Sequence, residues 1–405
     1  PSLLIEPIQA DLGITDTQFS IANTFGFALM LGIASVPAGR LVDRGNHLRV
    51  LAAAMACWSL MTVVSGLSTG LSFLLACRLG VALGQAALNP ACYALIADRV
   101  PASRLGLAFG IFGMAGHVGI GVANLIGAAI LALIPPHGLA VPMIGLLQPW
   151  QLTLVLVGAP GIALAMLLLL TDKSQARGDA EDARLPVAIV VRFFRDNIAS
   201  FGLLKLASGF AAMALYGIAG WSAALLVRNH GWTPVGAGAA LGPTFLVAGA
   251  LGALVGGVLG DRLHRRRRDG RIVVMMLATL TAAPFGACAP LQSRPLLLVA
   301  LLGGTILFAS MAIAINPGAT MAMMPARMRG VAAALGVLIV NFVGLGCGPL
   351  AIALLTDNVF ADPRALPLSM ALATGVSLIV AAGCAQWCRR PYERSMRTLH
   401  GTWGR

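Results

Sequence analysis

Eleven stretches of this 405-residue chain stay apolar for about 18 residues or more with scarcely a charge inside them. They fall at 18–38, 50–67, 71–96, 106–134, 150–170, 198–227, 236–259, 272–289, 295–319, 330–355 and 367–388. A helix of ~20 apolar residues crosses the ~30 Å hydrocarbon layer of a bilayer, and in lipid the backbone must bond to itself. Composition removes the soluble alternative. The chain is 58% hydrophobic and 11% charged, with a mean hydropathy of +0.86. A globular domain carries about 25% charged residues, and this one could not cover its apolar surface in water. An all-α membrane protein follows, which excludes a secreted disulfide scaffold, a disordered tail and an ordinary soluble enzyme. Residues 1–8 read as the end of a further helix whose earlier part is missing from the chain, so twelve spans are expected in all.

The net charge of +13 would suggest a nucleic-acid partner if its placement were ignored. Of the 28 basic residues, 23 lie in alternate connections (40–49, 97–105, 171–197, 260–271, 325–329) and after 388. The opposite connections hold three, Arg228, Arg294 and Arg364. Positive-inside bias sets orientation in the inner (cytoplasmic) membrane: the arginine-rich connections and both termini are expected on the cytoplasmic side, and no nucleic-acid partner is expected. The run Arg265 to Arg268 reads as a topology anchor, with a patch for lipid phosphate or nucleic acid as the other reading. The seven cysteines sit almost wholly in apolar runs without histidine at metal-ligand spacing, so they read as packing residues. No metal and no cofactor are expected.

A charged break at 171–197 divides the chain into bundles at 1–170 and 198–388, with a cytoplasmic tail at 389–405. The break ends in Val187 to Asp196, an apolar face edged by arginine that suits an interfacial helix. The halves repeat one another in the same order. Gly39-Arg-Leu-Val-Asp43-Arg44 recurs as Gly257-Val-Leu-Gly-Asp261-Arg262, Asn89-Pro90 as Asn316-Pro317, and Pro101-Ala102 with Gly106 as Pro325-Ala326 with Gly330. Two like-oriented six-helix bundles related by an axis along the membrane normal suit alternating access to a site held between them.

On these motifs the chain resembles the major facilitator superfamily. The Gly39 to Arg49 loop is similar to that family's signature between its second and third helices, and 257–262 to the weaker copy in the other half. Within the family it looks most like bacterial members of the Spinster branch, on Glu6-Pro7-Ile8, Asp11-Leu12-Gly13, Trp58 to Thr62, Arg78 to Gly84, Tyr216-Gly217, Trp221 and Arg228 to Gly231. The resemblance implies solute transport by a rocker-switch motion. It also implies a glutamate seven residues after Arg78, where this chain has Gln85, and an acid in the first helix. None of the fifteen carboxylates falls in mid-span, Asp357 coming closest. A proton remains a candidate co-substrate, for which the missing part of the first helix could supply the carrier.

An ionisable group at membrane depth costs about 2.5–3.5 kcal/mol on insertion scales, so each one is a functional candidate. Arg78 lies about seven residues inside its span. Gln85 and Asn89 return to its face along a continuous helix, a stripe that could line a cavity. The alternative is an outward-snorkelling arginine with two amides bonding neighbouring helices. His117, with Asn124 on its face, has proton-relay chemistry or packs in a glycine-rich run. Lys205 and Tyr216 share a face of 198–227, and Asn316 and Asn341 are candidates for the opposite wall. Asn316 could equally serve the bend at Pro317.

The repeated loop reads as a cytoplasmic gate that latches the outward-open state, with plain topology and assembly as the alternative. Gly39 would allow close helix approach, and Asp43 would meet the positive end of 330–355, with Arg44 and Arg49 as local partners. Asp261 and Arg262 would do the same for 106–134. No paired catalytic carboxylates, no nucleophile with a base and no zinc spacing occur, so no enzyme is expected. The expected function is secondary transport of a small or amphipathic, anionic organic solute by a monomer in membrane lipid. An uncoupled or lysolipid-translocating facilitator and a non-transporting sensor are the alternatives.

Overall fold

A computed structural model describes residues 2–44, 46–101, 105–142, 145–170, 193–325 and 328–402. The first half comprises α1 (Ile5–Leu12), α2 (Asp16–Ser20), α3 (Gly26–Arg44), α4 (His47–Ser65), α5 (Leu71–Gln85), α6 (Leu88–Arg99), α7 (Leu105–Leu133) and α8 (Pro149–Leu170). The second comprises α9 (Ile198–His230), α10 (Pro234–Arg266), α11 (Gly270–Cys288), α12 (Pro295–Ala322), α13 (Arg329–Asn341), α14 (Cys347–Leu354) and α15 (Leu366–Thr402). Among the described residues ten helical segments are long and apolar enough to cross a membrane, and α7 accounts for the eleventh apolar run.

Local chemistry sets the ends. Thr15 and Gln18 close a reciprocal capping box at the start of α2. The Asn46 side chain accepts from Leu48 and Arg49 to open α4, and Thr233 caps α10 with Pro234 at its first turn. Gly13 and Gly231, at φ +63° and +67°, end α1 and α9 in the left-handed conformation that glycine adopts without strain. Three π-helical turns interrupt the spans, at Ile21–Phe25 between α2 and α3, at Phe342–Gly346 between α13 and α14, and at Leu355–Val359. The first two face each other, with the Phe25 and Phe342 rings 5.8 Å apart and Gly346 against Ala28.

Two features depart from the hydropathy reading. A short antiparallel hairpin, Leu139–Val141 with Gly145–Leu147, lies between α7 and α8, where apolar runs alone suggest a plain loop. At the other extreme α15 continues to Thr402 instead of ending near 388. Its polar extension is held by side chains: Arg389 donates to Asp269, Tyr392 to the Ala319 carbonyl, and Ser395 pairs with Ser200.

The buried core decides how the halves meet. One cluster joins them, combining Leu3, Ile8, Phe19, Leu74 and Trp150 with Leu215, Trp221, Leu241, Phe245 and Ile352. It lies toward the end that carries the few-arginine connections. There α7 and α10 approach at Gly121 and Gly242, where a Cβ on Gly121 would stand 2.8 Å from the Gly242 carbonyl oxygen. Toward the arginine-rich end the clusters are separate. Val42, Ala54, Ala87 and Ala91 belong to the first half, and Phe201, Met275, Ala319 and Tyr392 to the second. Among the described residues the buried apolar core is thus shared between the halves at one end and divided between them at the other. Within the second half, the Gly252-x-x-x-Gly256 face brings α10 onto the α12 backbone at Leu307 and Met311.

Candidate functional site

Arg78 lies in α5, one turn beyond Leu74 of the joining cluster, and is 8% exposed. Its Nε and Nη2 have no hydrogen-bond partner among the described residues. A guanidinium offers five donors in a planar fork, and leaving buried donors unmade costs about 1–3 kcal/mol or more for a charged group. Such a group is matched to a planar anion that is not part of the chain.

The stripe expected below Arg78 crosses from α5 into α6. Gln85 is the last residue of α5 and half-buried, and Asn89 is the second residue of α6. Ala86 and Ala87 stand between the two helices. Pro90 has no amide hydrogen for the Ala86 carbonyl four residues back, yet Ala86 and Ala87 keep right-handed helical angles and 71–96 runs on as one apolar span.

In the second half the structure brings three polar groups together. Lys205, 2% exposed, donates from Nζ to Asn316 Oδ1 at 2.8 Å and Thr320 Oγ1 at 2.5 Å, and Nζ stands 5.2 Å from the Phe201 ring centroid. A Cβ on Gly336 would collide with the end of this side chain. Lys205 is thus turned into its own bundle and does not snorkel, and Asn316 serves it as an acceptor. Tyr216 packs against Gly344, and Asn341 ends α13 at the π turn. Asn124 is buried, donates to the Ile120 carbonyl and accepts from Ser2 at 3.4 Å. The His117 side chain lies outside the described residues.

The residues of the repeated loop are described only in part. Among the described residues no atom lies within 4 Å of where a Cβ on Gly39 would be. The side chains of Asp43 and Arg44 lie outside the described residues. Arg49 is exposed in the first turn of α4. Asp261 accepts from Arg271 Nε and Nη2 at 3.1 and 2.8 Å, a contact within its own half. Arg262 is exposed.

The charged contact that does join the halves lies at the opposite end. Arg228, near the end of α9, donates to both Asp16 oxygens and to Glu6 Oε1, the shortest distances being 2.9 and 2.7 Å. Gln9 Oε1 and the Pro363 carbonyl complete its surroundings. The Thr17 amide donates to Asp357 at 2.7 Å, and Ser20 and Trp221 both donate to the Pro349 carbonyl. The Arg228 and Asp16 side chains are 12% and 5% exposed. A bidentate pair that dry is among the stronger polar contacts, and breaking it from one side is costly. The sequence signal was available but weak: Arg228 is one of three basic residues at that end, and Glu6 and Asp16 stand at the same end of two other segments.

Two helical halves that share a buried core at one end, with a buried cation in one bundle whose Nε and Nη2 have no partner among the described residues, suit a membrane transporter. Residues 1–349 match the Major Facilitator Superfamily, and the chain belongs to that family. It is 26% identical over 399 residues to an MFS-type efflux pump of Mycolicibacterium smegmatis, covering 98% of this chain and 89% of the pump. It is 28% identical over 159 residues to a probable L-galactonate transporter of Escherichia coli, covering 39% of this chain and 32% of that protein. The fold is similar to the crystal structure of a bacterial homologue of the human lysosomal transporter Spinster, in an inward-facing and unoccupied conformation. The TM-score is 0.78 at 24% identity, covering 98% of this chain and 92% of the other.

Proposed function

We propose that this chain is a secondary transporter of the inner membrane that moves a small or amphipathic organic anion between two six-helix bundles. The observation that carries the anion is Arg78, buried with two donor atoms unpartnered among the described residues. The positive-inside bias puts the arginine-rich end and both termini in the cytoplasm. The end at which the core is divided is then the inward one, and the Arg228 contacts close the outer side. That a relative carries the name of an L-galactonate transporter, whose solute is a sugar acid, supports a carboxylate as the recognised group.

The test is equilibrium binding of L-galactonate and of a lysophosphatidic acid to purified protein. Arg78→Ala should weaken the anion that binds by about tenfold to a hundredfold, the value of a charged hydrogen bond at ~1.5–3 kcal/mol. Arg78→Lys should retain part of the affinity. Equal affinity in all three proteins removes the anion reading.

A second reading, transport without ion coupling, is favoured by the carboxylates nearest the spans. Glu6 and Asp16 are held by Arg228, and Asp357 accepts from the Thr17 amide. Counterflow at an unchanged rate after collapse of the proton gradient would select it, and a rate that falls with the gradient would reject it.

A further inference from the structure

Two sets of arginines stand around the turn between α10 and α11. Arg267 pairs with Asp269 at 3.1 Å, Arg271 with Asp261 at 2.8 Å, and Arg389 with Asp269 at 2.8 Å. These tie α10, α11 and α15 together. Arg262, Arg265 and Arg266 have no carboxylate partner among the described residues, and all three line one groove of about 610 Å³ at the arginine-rich end of α10. The rest of that groove is apolar, with Leu259, Leu277 and Met311 among its walls.

Its setting is the bilayer boundary. Leu251, Leu254, Val255, Val258 and Leu259 are exposed along α10, as are Leu277 and Leu280 on α11, so the groove opens onto the apolar outer surface of the second half. Three guanidinium groups above an apolar floor match a ligand with an anionic head and a hydrocarbon body. An inorganic anion would leave the floor wet, and a neutral lipid would leave three positive charges unanswered. We propose that this groove binds an anionic glycerophospholipid of the surrounding leaflet. Its phosphodiester is held by Arg262, Arg265 and Arg266, and an acyl chain lies against Leu259 and Leu277. The site needs only the membrane-spanning fold and stands whether or not Arg78 recognises the transported solute.

Native mass spectrometry of the purified full chain, titrated with phosphatidylglycerol or phosphatidylcholine of the same acyl chains, tests the proposal. At least one phosphatidylglycerol should be retained with about tenfold or greater preference, since each basic residue near an anionic headgroup contributes roughly one kcal/mol. Arg262→Gln with Arg265→Gln and Arg266→Gln should abolish the preference, and Arg266→Gln alone, the gentler change, should reduce it. Arg294→Gln, at the opposite end, should leave it intact. An unchanged preference in both groove variants overturns the proposal. So does displacement of the lipid by millimolar glycerol phosphate, which would mark a site for soluble phosphate.

Discussion

The Arg228 guanidinium grips Asp16 with two parallel hydrogen bonds of 2.9 and 3.0 Å, joining residues 212 positions apart in the chain. Its remaining edge takes Glu6 at 2.7 Å. One cation thus fastens α1 and α2 of the first half to α9 of the second. Replacing Arg228 by alanine strands a carboxylate that is 5% exposed, which for a buried pair costs about 3–5 kcal/mol. The cost falls on the form in which this end is closed. Arg228→Lys keeps the charge but loses the fork and should fall between. Labelling of a cysteine placed at Ala10 or Arg364 by a membrane-impermeant reagent should accelerate in the order wild type, lysine, alanine. An identical rate in all three would show that the pair does not hold the closure.

The α7–α10 crossing supplies a steric counterpart to that ionic closure. A methyl group at Gly121 would lie 2.8 Å from the Gly242 oxygen and from the Leu246 amide nitrogen and Cβ, so backbone must move. Overpacking of this kind costs about 1–3 kcal/mol. Gly121→Ala should therefore raise labelling at position 364 without lowering the melting temperature of the separated form. Gly116→Ala, with nothing within 4 Å of its Cβ, should do neither.

Lys205 calls for a different kind of prediction, because its ammonium is met by an amide oxygen and a hydroxyl and by no carboxylate among the described residues. Removing an acceptor is worse than removing the charge. Asn316→Leu should destabilise by about 1.5–3 kcal/mol, the value of a hydrogen bond to a charged group. Lys205→Met, which keeps the length and takes the charge away, should cost less and should rescue Asn316→Leu. Thermal unfolding in detergent of the two single variants and the double variant decides it. Additive losses would contradict the coupling.

The elements were legible to unequal degrees, for physical reasons. The eleven spans follow from lipid as solvent, which allows few other patterns, and Pro149, Pro234 and Pro295 mark helix starts where hydropathy already does. The turn at Ala86–Ala87 between α5 and α6 was implicit in Pro90, which offers no amide hydrogen to the Ala86 carbonyl. The extension of α15 to Thr402 escaped because its charged residues resemble a solvated tail. Only the fold puts Tyr392 under Ala319 and Ser395 beside Ser200. The Arg228 contacts were least legible of all. Each partner is an ordinary charge near a span end, and 222 residues separate Glu6 from Arg228. The repeated loop motif drew attention to the arginine-rich end, where each half keeps its own buried cluster among the described residues.

Asp269 gives the fold a defined acid limit. Burial would raise its carboxyl, but hydrogen bonds from Arg389 and Arg267 outweigh burial and hold its pKa below the ordinary carboxylate value. A depressed folded pKa contributes stability that is complete above the unfolded value of 3.8 and is lost as pH falls through the folded one. The α10–α11–α15 junction should therefore be insensitive to pH between 5 and 7 (about the range where both forms are ionised) and weaken below about pH 4. Asp269→Asn should lower the melting temperature at neutral pH and flatten its acid dependence. A variant with the acid dependence of the wild type would assign the effect elsewhere.

The central claim is that the two halves are joined at the Arg228 end and apart at the arginine-rich end, and that transport exchanges the two arrangements. Spin-label distances on a cysteine-free background test it most directly, between Ala10 and Arg364 at one end and between Arg40 and Arg390 at the other. The resting protein should show a short, narrow first distance and a long second one. Arg228→Ala should populate the converse, the first distance lengthening as the second shortens. Two distances that stay fixed in both proteins, or that lengthen together, would contradict the account.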